Sequence, residues 1–582
     1  MHCHPNKTRR RFLKGVTASA MLMGTVMSAE ESVESPPPIR RRDTTVLEGT
    51  EFHLTLERTV VNISGTEVIA TTVNGMLPAP TLKWREGDIV TIQVTNNMPV
   101  SSSIHWHGII LPFEMDGVPG ITYDGIAPGE TFTYRFAVRQ SGTFWYHSHT
   151  GFQEQSGIHG TLVIEPVHED PIVSDREHVI SLFDWSDEKP EAIYRKLKLH
   201  SDYYNFNQRT VGDFIQKAKA EGFWEALQSR SMWNRMRMSD RDLSDVTGYT
   251  YAYLLNGFTD ADDWHALFNA GERVRLRFVN QSAMTIFDVR IPGLKMTIVA
   301  ADGNPVQPVE VDEFRIAVAE TYDVIVEPDD KAYCIFAQSI ERSGYAAATL
   351  APREEMHAQR PEMDPPQPLT MADMGMGSME SGNGMQSGAM KCGGGMKMPS
   401  HENEKIKRTW PITPLPMHRG VGTTMKAADP RYRLDDPGVG LRHNGRKVLT
   451  YADLKNYYST ADAAPPDREI ILHLTGNMER YMWSINGIKY ADSAPLKFYY
   501  GERLRITFVN DTMMIHPMHL HGMWSDLETG DDSALVRKHT VMVQPGSKIS
   551  YRVTVDAKGA WAYHCHMLYH MPGMFRRVEV VS

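Results

Sequence analysis

Through much of the chain apolar and polar residues alternate with a period of two, as in the run from Gly271 to Asn280, Gly-Glu-Arg-Val-Arg-Leu-Arg-Phe-Val-Asn. This period turns successive side chains to opposite faces of an extended chain, so it predicts strands and not helices. The pattern repeats. Asn74-Gly75, Asn256-Gly257 and Asn486-Gly487 each precede a glycine and an acid, Gly87-Asp88, Gly271-Glu272 and Gly501-Glu502, and the strands they open end at Asn96, Asn280 and Asn510. A second block runs from Pro128-Gly129-Glu130 to Tyr146-His147 and returns, with the same offset, from Pro545-Gly546-Ser547 to Tyr563-His564. The middle copy leads from Ala319-Glu320 to Phe336 and Gln338, without histidine. These repeats predict an all-β chain of three Greek-key sandwiches or barrels at residues 44–168, 169–351 and 431–582, the middle one a spacer.

Two stretches break the alternation. Residues 190–247 place Val211, Phe214, Ile215, Ala218 and Leu227 at helical spacing, which predicts a helical insertion in the second domain, its Met232, Met236 and Met238 packing residues. Residues 352–430 are rich in Pro, Gly, Ser and Met and read as a mobile linker.

Composition adds limits. At 582 residues the chain exceeds one hydrophobic core, and 41% hydrophobic with 23% charged residues is ordinary for a soluble protein. Residues 1–29 combine Arg9, Arg10 and Arg11, an apolar run from Val16 to Met27 and the small pair Ser28-Ala29, the pattern of a twin-arginine export signal. The expected compartment is therefore the periplasm. That run is too short for a permanent span, and no later stretch reaches the about 20 apolar residues of a membrane helix, so no stable membrane insertion is expected. Loss of the signal removes five cations and no acid from a chain already at −10, which argues against nucleic acid and suits cationic substrates. Of four cysteines, Cys3 leaves with the signal, and Cys334, Cys392 and Cys565 are too few for a disulfide framework. An unpaired thiol in an oxidising compartment needs a reason such as a metal.

Four histidine clusters supply that reason: His105-Trp106-His107, His147-Ser148-His149, His516-Pro517-Met518-His519-Leu520-His521, and His564-Cys565-His566 with His570. On a strand each His-x-His pair presents two imidazoles on one side, about 7 Å apart. Pairs from different domains can then enclose several metals. Imidazole alone suits Cu, Zn, Fe and Ni, but a thiolate with a distant thioether narrows one site to blue copper. A zinc hydrolase needs neither four such clusters nor a thiolate between two imidazoles.

The chain here resembles the three-domain multicopper oxidases, and most of all their bacterial copper-resistance (CopA-type) branch. The resemblance runs nearly from end to end and is carried by His-Trp-His-Gly at 105–108, Trp-Tyr-His-Ser-His at 145–149, His-Pro-Met-His-Leu-His-Gly-Met-Trp at 516–524, Tyr-His-Cys-His at 563–566 and the Met-rich linker. It implies cupredoxin-like domains and four copper ions. A type 1 copper would be held by His516, Cys565 and His570, a type 2 copper by His105 and His519, and a type 3 pair by His107, His147, His149, His521, His564 and His566. It also implies one-electron oxidations coupled to four-electron reduction of dioxygen to water, with Asp116 in proton supply. One departure stands out: His570-Met571-Pro572-Gly573-Met574 leaves three residues between the last type 1 histidine and Met574, where the family has four. Met574 is the expected axial ligand and Met571 its substitute.

The expected substrate is Cu(I), oxidised to Cu(II) in copper resistance. Met371, Met374, Met376, Met379, Met385, Met390, Met396 and Met398, with Cys392 and His401, show no hydrophobic periodicity, and soft thioethers favour the cuprous ion. Asp511, Met513, Met514, Met518 and Met523 surround His516 in sequence as a second candidate docking site. Two other readings stand beside this one: a laccase-like oxidase of phenolic substrates, and a periplasmic copper store without turnover. Periplasmic copper-binding proteins are the partner class considered. The nitrite reductases of the same fold need no eight-histidine set.

Overall fold

The computed structural model describes residues 45–376 and 410–582. The export signal lies outside the described residues, as do Met379, Met385, Met390, Cys392, Met396, Met398 and His401.

Six sheets form three successive pairs along the chain. The first pair joins Val46–Glu48, Ala79–Arg85, His159–Glu165, Gly142–His147 and His105–His107 in one sheet, and Glu67–Val73, Glu51–Asn62, Ile89–Asn96 and Thr131–Ala137 in the other. The two later pairs share one plan for their five-stranded sheet. Its order is His265–Leu267, Tyr345–Ala351, Tyr333–Ser339, Phe287–Arg290, Glu313–Ile316 in the middle unit. In the last unit it is Leu496–Tyr499, Phe575–Val581, Gly559–Cys565, His516–Leu520, Thr540–Val543.

The sequence repeats have local physical causes. Asn74, Asn256 and Asn486 adopt φ of 55°, 52° and 51°, and the glycine after each is also left-handed, which Asn-Gly permits at little steric cost. Each Asn side chain then accepts from a backbone N–H of a neighbouring strand, Thr55, Ser181 or His473, at 2.7 Å. The strand-ending Asn96, Asn280 and Asn510 each donate from Nδ2 to two carbonyls, which ties the strand end to neighbouring backbone.

Three α-helices stand between Arg176–Trp185 and Ala252–Leu255: α1 (Pro190–Leu199), α2 (Val211–Glu221) and α3 (Phe223–Met236). Thr210 and Asp213 cap α2 reciprocally. The apolar positions that predicted these helices are not all inside: Val211, Ile215 and Leu227 are 72%, 49% and 41% exposed. Met236 and Met238 do pack against the core.

One expectation needs correction, and one strand departs from a two-faced pattern. Arg275 and Arg277 alternate with apolar residues, yet every residue of Val274–Asn280 is buried. That face meets the first sandwich, where both guanidinium groups reach Asp323 and Arg277 also donates to Thr143 Oγ1. The linker is also not loose where it is described. Arg360 pairs with Asp260 and Asp263, Asp364 with Arg290 and Arg446, and Leu369 and Met374 sit in the core with Met371 and Met376 against it. Packing therefore accounts for these three methionines, against the expectation from sequence.

Candidate metal centre

The site begins with two short antiparallel pairings. His105–His107 lies beside Gly142–His147 with His105 opposite His147, and His516–Leu520 lies beside Gly559–Cys565 with His519 opposite His564 and Met518 opposite Cys565. Alternation sends His564 and His566 to one face and Cys565 to the other. Two clusters thus form back to back on one strand.

On the first face eight imidazoles from the first and last units converge. Their nitrogen atoms fall into the groups His107, His147, His566 and His149, His521, His564, while His105 and His519 group with His107. The two units meet directly: His149 Nε2 is 3.2 Å and His521 Nε2 3.1 Å from His564 Nε2. On the opposite face Cys565 Sγ lies 3.5 Å from His516 Nδ1 and 3.8 Å from His570 Nδ1.

The donor set fits a metal. His105 Nε2, His107 Nδ1, His147 Nε2, His519 Nε2 and His566 Nε2 are buried with no hydrogen-bond partner, although burying a polar atom unpaired costs about 1–3 kcal/mol. The other nitrogen of four of these rings is held: His105 Nδ1 on Asp116 O (2.7 Å), His107 Nε2 on Thr540 Oγ1 (3.1 Å), His147 Nδ1 near Ser148 O (3.0 Å) and His519 Nδ1 on His539 O (2.6 Å). Outward anchoring of one nitrogen leaves the other lone pair aimed inward, the arrangement of a metal-binding imidazole. Burial, reinforced by the neighbouring rings, holds His107, His147, His149, His519, His521, His564 and His566 well below the usual imidazole range, so they are neutral donors. Burial lowers His516 and His570 in the same way and pushes the Cys565 thiol up, so a thiolate there needs a cation beside it.

Every histidine of the four clusters, and Cys565, is brought to one of these two faces. Asp116 joins them: its Oδ2 accepts from His521 Nδ1 at 2.9 Å while its backbone oxygen holds His105. Gly117 follows with φ of 79°, and a Cβ there would fall 1.8 Å from Ile104 O, so the Asp-Gly turn itself drives the carboxylate into the cage. Met574 is fully buried in the core that contains Cys565, and Met571, partly exposed, packs both against that core and against Val118 and Phe575. The group around His516 does not form a surface: Asp511, Met513, Met514, Met518 and Met523 are all buried, and Asp511 is taken up by His473 and the Ala427 N–H.

Five functional neighbours escape sequence reasoning. Glu154 is buried 2.7 Å from His147 Nδ1, and burial pushes its carboxyl up. His539 and Thr540 flank His107, and Thr512 Oγ1 caps His516 Nε2 at 2.7 Å. Asp245, from the chain leaving α3, accepts from His570 Nε2 at 2.7 Å and from Tyr481 OH at 2.9 Å. None sits in a metal-like motif; only the fold brings them in.

Comparison with known proteins agrees with the geometry. Family models described as "Multicopper oxidase" match residues 55–169, 176–355 and 463–582. The chain is 51% identical to copper resistance protein A of Escherichia coli, over 98% of this chain and 99% of that one. It is 52% identical to a copper resistance protein A homolog of Pseudomonas syringae pv. tomato, over 99% and 100%. Among solved structures, Fet3p, a multicopper oxidase that functions in iron import, superposes with a TM-score of 0.62 at 19% identity, covering 92% of this chain and 90% of that one, a likeness of fold. With three successive family matches and half-identity to relatives along nearly its whole length, the chain belongs to the multicopper oxidases, in the copper resistance protein A branch, and is a copper-dependent oxidoreductase.

Proposed function

We propose that the chain is a periplasmic cuprous oxidase of copper resistance, exported by the twin-arginine route, which takes electrons from Cu(I) and reduces dioxygen to water with four copper ions. His516, Cys565 and His570 would hold the type 1 ion with Met574 axial, His105 and His519 the type 2 ion, and the remaining six histidines the type 3 pair. Bound copper would supply one-electron redox chemistry at the first site and dioxygen reduction at the other three.

The observation that carries the reading is the back-to-back strand: Cys565 faces one cluster while His564 and His566 face the other, so adjacent peptide units link electron entry to the cage. The protein's own groups do the rest. The buried cage excludes bulk water, and the Asp116 carboxylate, on His521 Nδ1 through Oδ2, is the side chain proposed for proton supply. The names of the relatives, copper resistance protein A, support the physiological role.

Burial of the electron-entry histidine favours a small ion over a phenol. His570 has no exposed surface, its Nε2 is capped by Asp245, and the Trp483 ring lies over it at 4.0 Å between centroids. A cleft on this side is lined by the thioethers of Met238 and Met478, with the acids Asp202, Asp242 and Glu479 set against Arg209, Arg237 and Arg480. Asp242 and Asp245 lie close enough that the charge of Asp245, after burial, helps lift the Asp242 carboxyl to about 8. The proposed entry for the substrate ion is the His570 side, where Asp245 caps the ring. Oxygen uptake with anaerobically prepared Cu(I) should be strongly stimulated relative to a Cys565→Ser protein; equal uptake by the two would end the cuprous oxidase reading. Four coppers per chain, only some of them visible by EPR, should accompany an intense blue band.

A further inference from the structure

The middle unit carries no cage histidine, yet one of its hairpins reaches the cage from behind. Strands Met296–Ala301 and Asn304–Val311 are joined by the two residues Asp302 and Gly303, with Ala301 opposite Asn304 and φ of 47° and 75° at the turn. Asp-Gly is the pair a left-handed two-residue hairpin demands. The tip is wedged between the other two units. A Cβ on Gly303 would fall 2.2 Å from the Phe144 ring, and a Cβ on Gly142 would fall 2.1 Å from Gly303 O, so the tip abuts the strand that carries His147.

On its other side Asp302 grips the segment Lys538-His539-Thr540. Its Oδ2 accepts from the His539 and Thr540 N–H groups, both at 3.1 Å, and pairs with the fully buried Lys538 ammonium at 3.1 Å. Its Oδ1 accepts from Thr321 N–H at 3.0 Å, which ties the carboxylate to its own sheet, and Glu320 is the second anion on Lys538, at 3.0 Å. The gripped segment holds two cage rings. Thr540 Oγ1 and His539 Nδ1 each lie 3.1 Å from His107 Nε2, and His539 O accepts from His519 Nδ1 at 2.6 Å. Gly108 makes room for this, since a Cβ there would fall 2.4 Å from His539 Cδ2.

We infer that Asp302 is a positioning residue for the copper cage: through His539 and Thr540 it sets the ring orientation of His107 and His519, so that the unit without cage histidines fixes the geometry of two ligands it does not supply. This rests on the assignment of His107 and His519 as copper ligands. The physical reason is the demand for two anionic acceptor atoms. Asp302 serves four donors with two oxygens, and an amide in its place must turn its NH2 toward either the Thr321 N–H or the ammonium and two N–H groups of the 538–540 segment. Loss of such an outer partner weakens metal binding or activity by about 10–100-fold.

The test uses the full-length copper-loaded protein and the Asp302→Asn, Thr540→Val and His519→Gln variants. Copper per chain is followed against a chelator of known affinity, and the visible band and EPR spectrum are recorded for each. Asp302→Asn should keep the Cys565-dependent blue band, change the EPR signal of the non-blue copper, and release cage copper about 10–100-fold more readily. Thr540→Val should do the same to a smaller degree, and adding it to Asp302→Asn should cost less than the two separate effects combined, because one acts through the other. A wild-type EPR signal and copper affinity in Asp302→Asn, whatever its melting temperature, overturns the inference; so does parallel loss of the blue band and the cage copper, which would mark a general folding role. If His519→Gln itself leaves cage copper unchanged, the ligand assignment fails instead.

Discussion

The middle and last units share a five-stranded sheet of one plan but fill its centre with opposite chemistry. In the last unit the strands His516–Leu520 and Gly559–Cys565 bring His519 opposite His564. In the middle unit Phe287–Arg290 and Tyr333–Ser339 bring Asp288 opposite Gln338. Asp288 is satisfied by Arg315 at 2.7 Å and Arg342 at 2.7 Å, and Gln338 by Asp364 at 2.7 Å. The last unit instead gathers neutral rings, among them His519, whose Nε2 has no protein partner, and His566, with neither nitrogen hydrogen-bonded. The scaffold therefore does not dictate a metal site. What distinguishes the two is whether the buried polar atoms are closed on themselves or left open for a cation, and this difference is measurable.

The largest effect belongs to Cys565→Ser. A hydroxyl is a poor soft donor, so the blue band should vanish and oxygen uptake with Cu(I) fall at least about 1000-fold, with little change in the fold. Retention of a blue band in this variant would remove Cys565 from the assignment.

Stability should separate the two centres in the opposite sense. Asp288→Ala leaves two buried guanidinium groups without their carboxylate, and losing one member of a buried ion network costs about 3–5 kcal/mol. His564→Gln, by contrast, relieves a point where three ring nitrogens crowd within 3.2 Å, and should change the metal-free protein by no more than about 1 kcal/mol while abolishing dioxygen reduction. Denaturant unfolding of both metal-free variants checks the pair; an Asp288→Ala protein as stable as wild type would show that the middle cluster is not self-closed. In the copper-loaded protein the order should reverse for His564→Gln, because bound copper stabilises only the native state.

How far this contrast was legible in the sequence depends on the range of the forces involved. Strand alternation and the Asn and Gly residues at strand ends act over a few residues, so the three units and the facing of each His-x-His pair could be read directly. Separation of Cys565 from His564 and His566 follows from the same period of two. Depth could not be read: Arg275, Arg277 and Met374 look like surface or linker residues and are buried because another unit covers them. Outer partners of the histidines were also out of reach. Glu154, Asp245, Asp302 and His539 come from loops and turns, and Thr540 from the first position of a strand, whose approach is set by packing between units, and nothing in their own neighbourhoods marks them. The methionines near His516 misled for the same reason, since softness of a donor says nothing of its exposure.

A smaller effect tests the entry side. Asp245→Asn keeps a hydrogen-bond acceptor for His570 Nε2–H but loses the charge, and should slow Cu(I) oxidation about 10-fold with the blue band retained. Asp511→Asn, on the buried His516 side, should leave the Cu(I) dependence unchanged. If Asp511→Asn alone raises the Cu(I) concentration needed for half-maximal rate, the entry lies on the other histidine.

The smallest expected effect concerns the axial position, where the three-residue spacing departs from the family pattern. Met574 shares the buried core with Cys565, and its backbone oxygen accepts from the Cys565 N–H at 3.0 Å, so the chain at 574 is fixed to the strand that bears the thiol. Met571, partly exposed, touches that same core as well as Val118 and Phe575. Leucine conserves volume at either site, so stability should change by less than about 1.5 kcal/mol in both variants. If Met574 is the proposed axial ligand, Met574→Leu should shift the visible spectrum and reduction potential of the Cys565 site while dioxygen reduction continues. Met571→Leu should alter neither. The reverse outcome, a spectral shift from 571 and none from 574, would mean that the short spacing swings the nearer methionine into the axial place, and that burial beside Cys565 is packing alone.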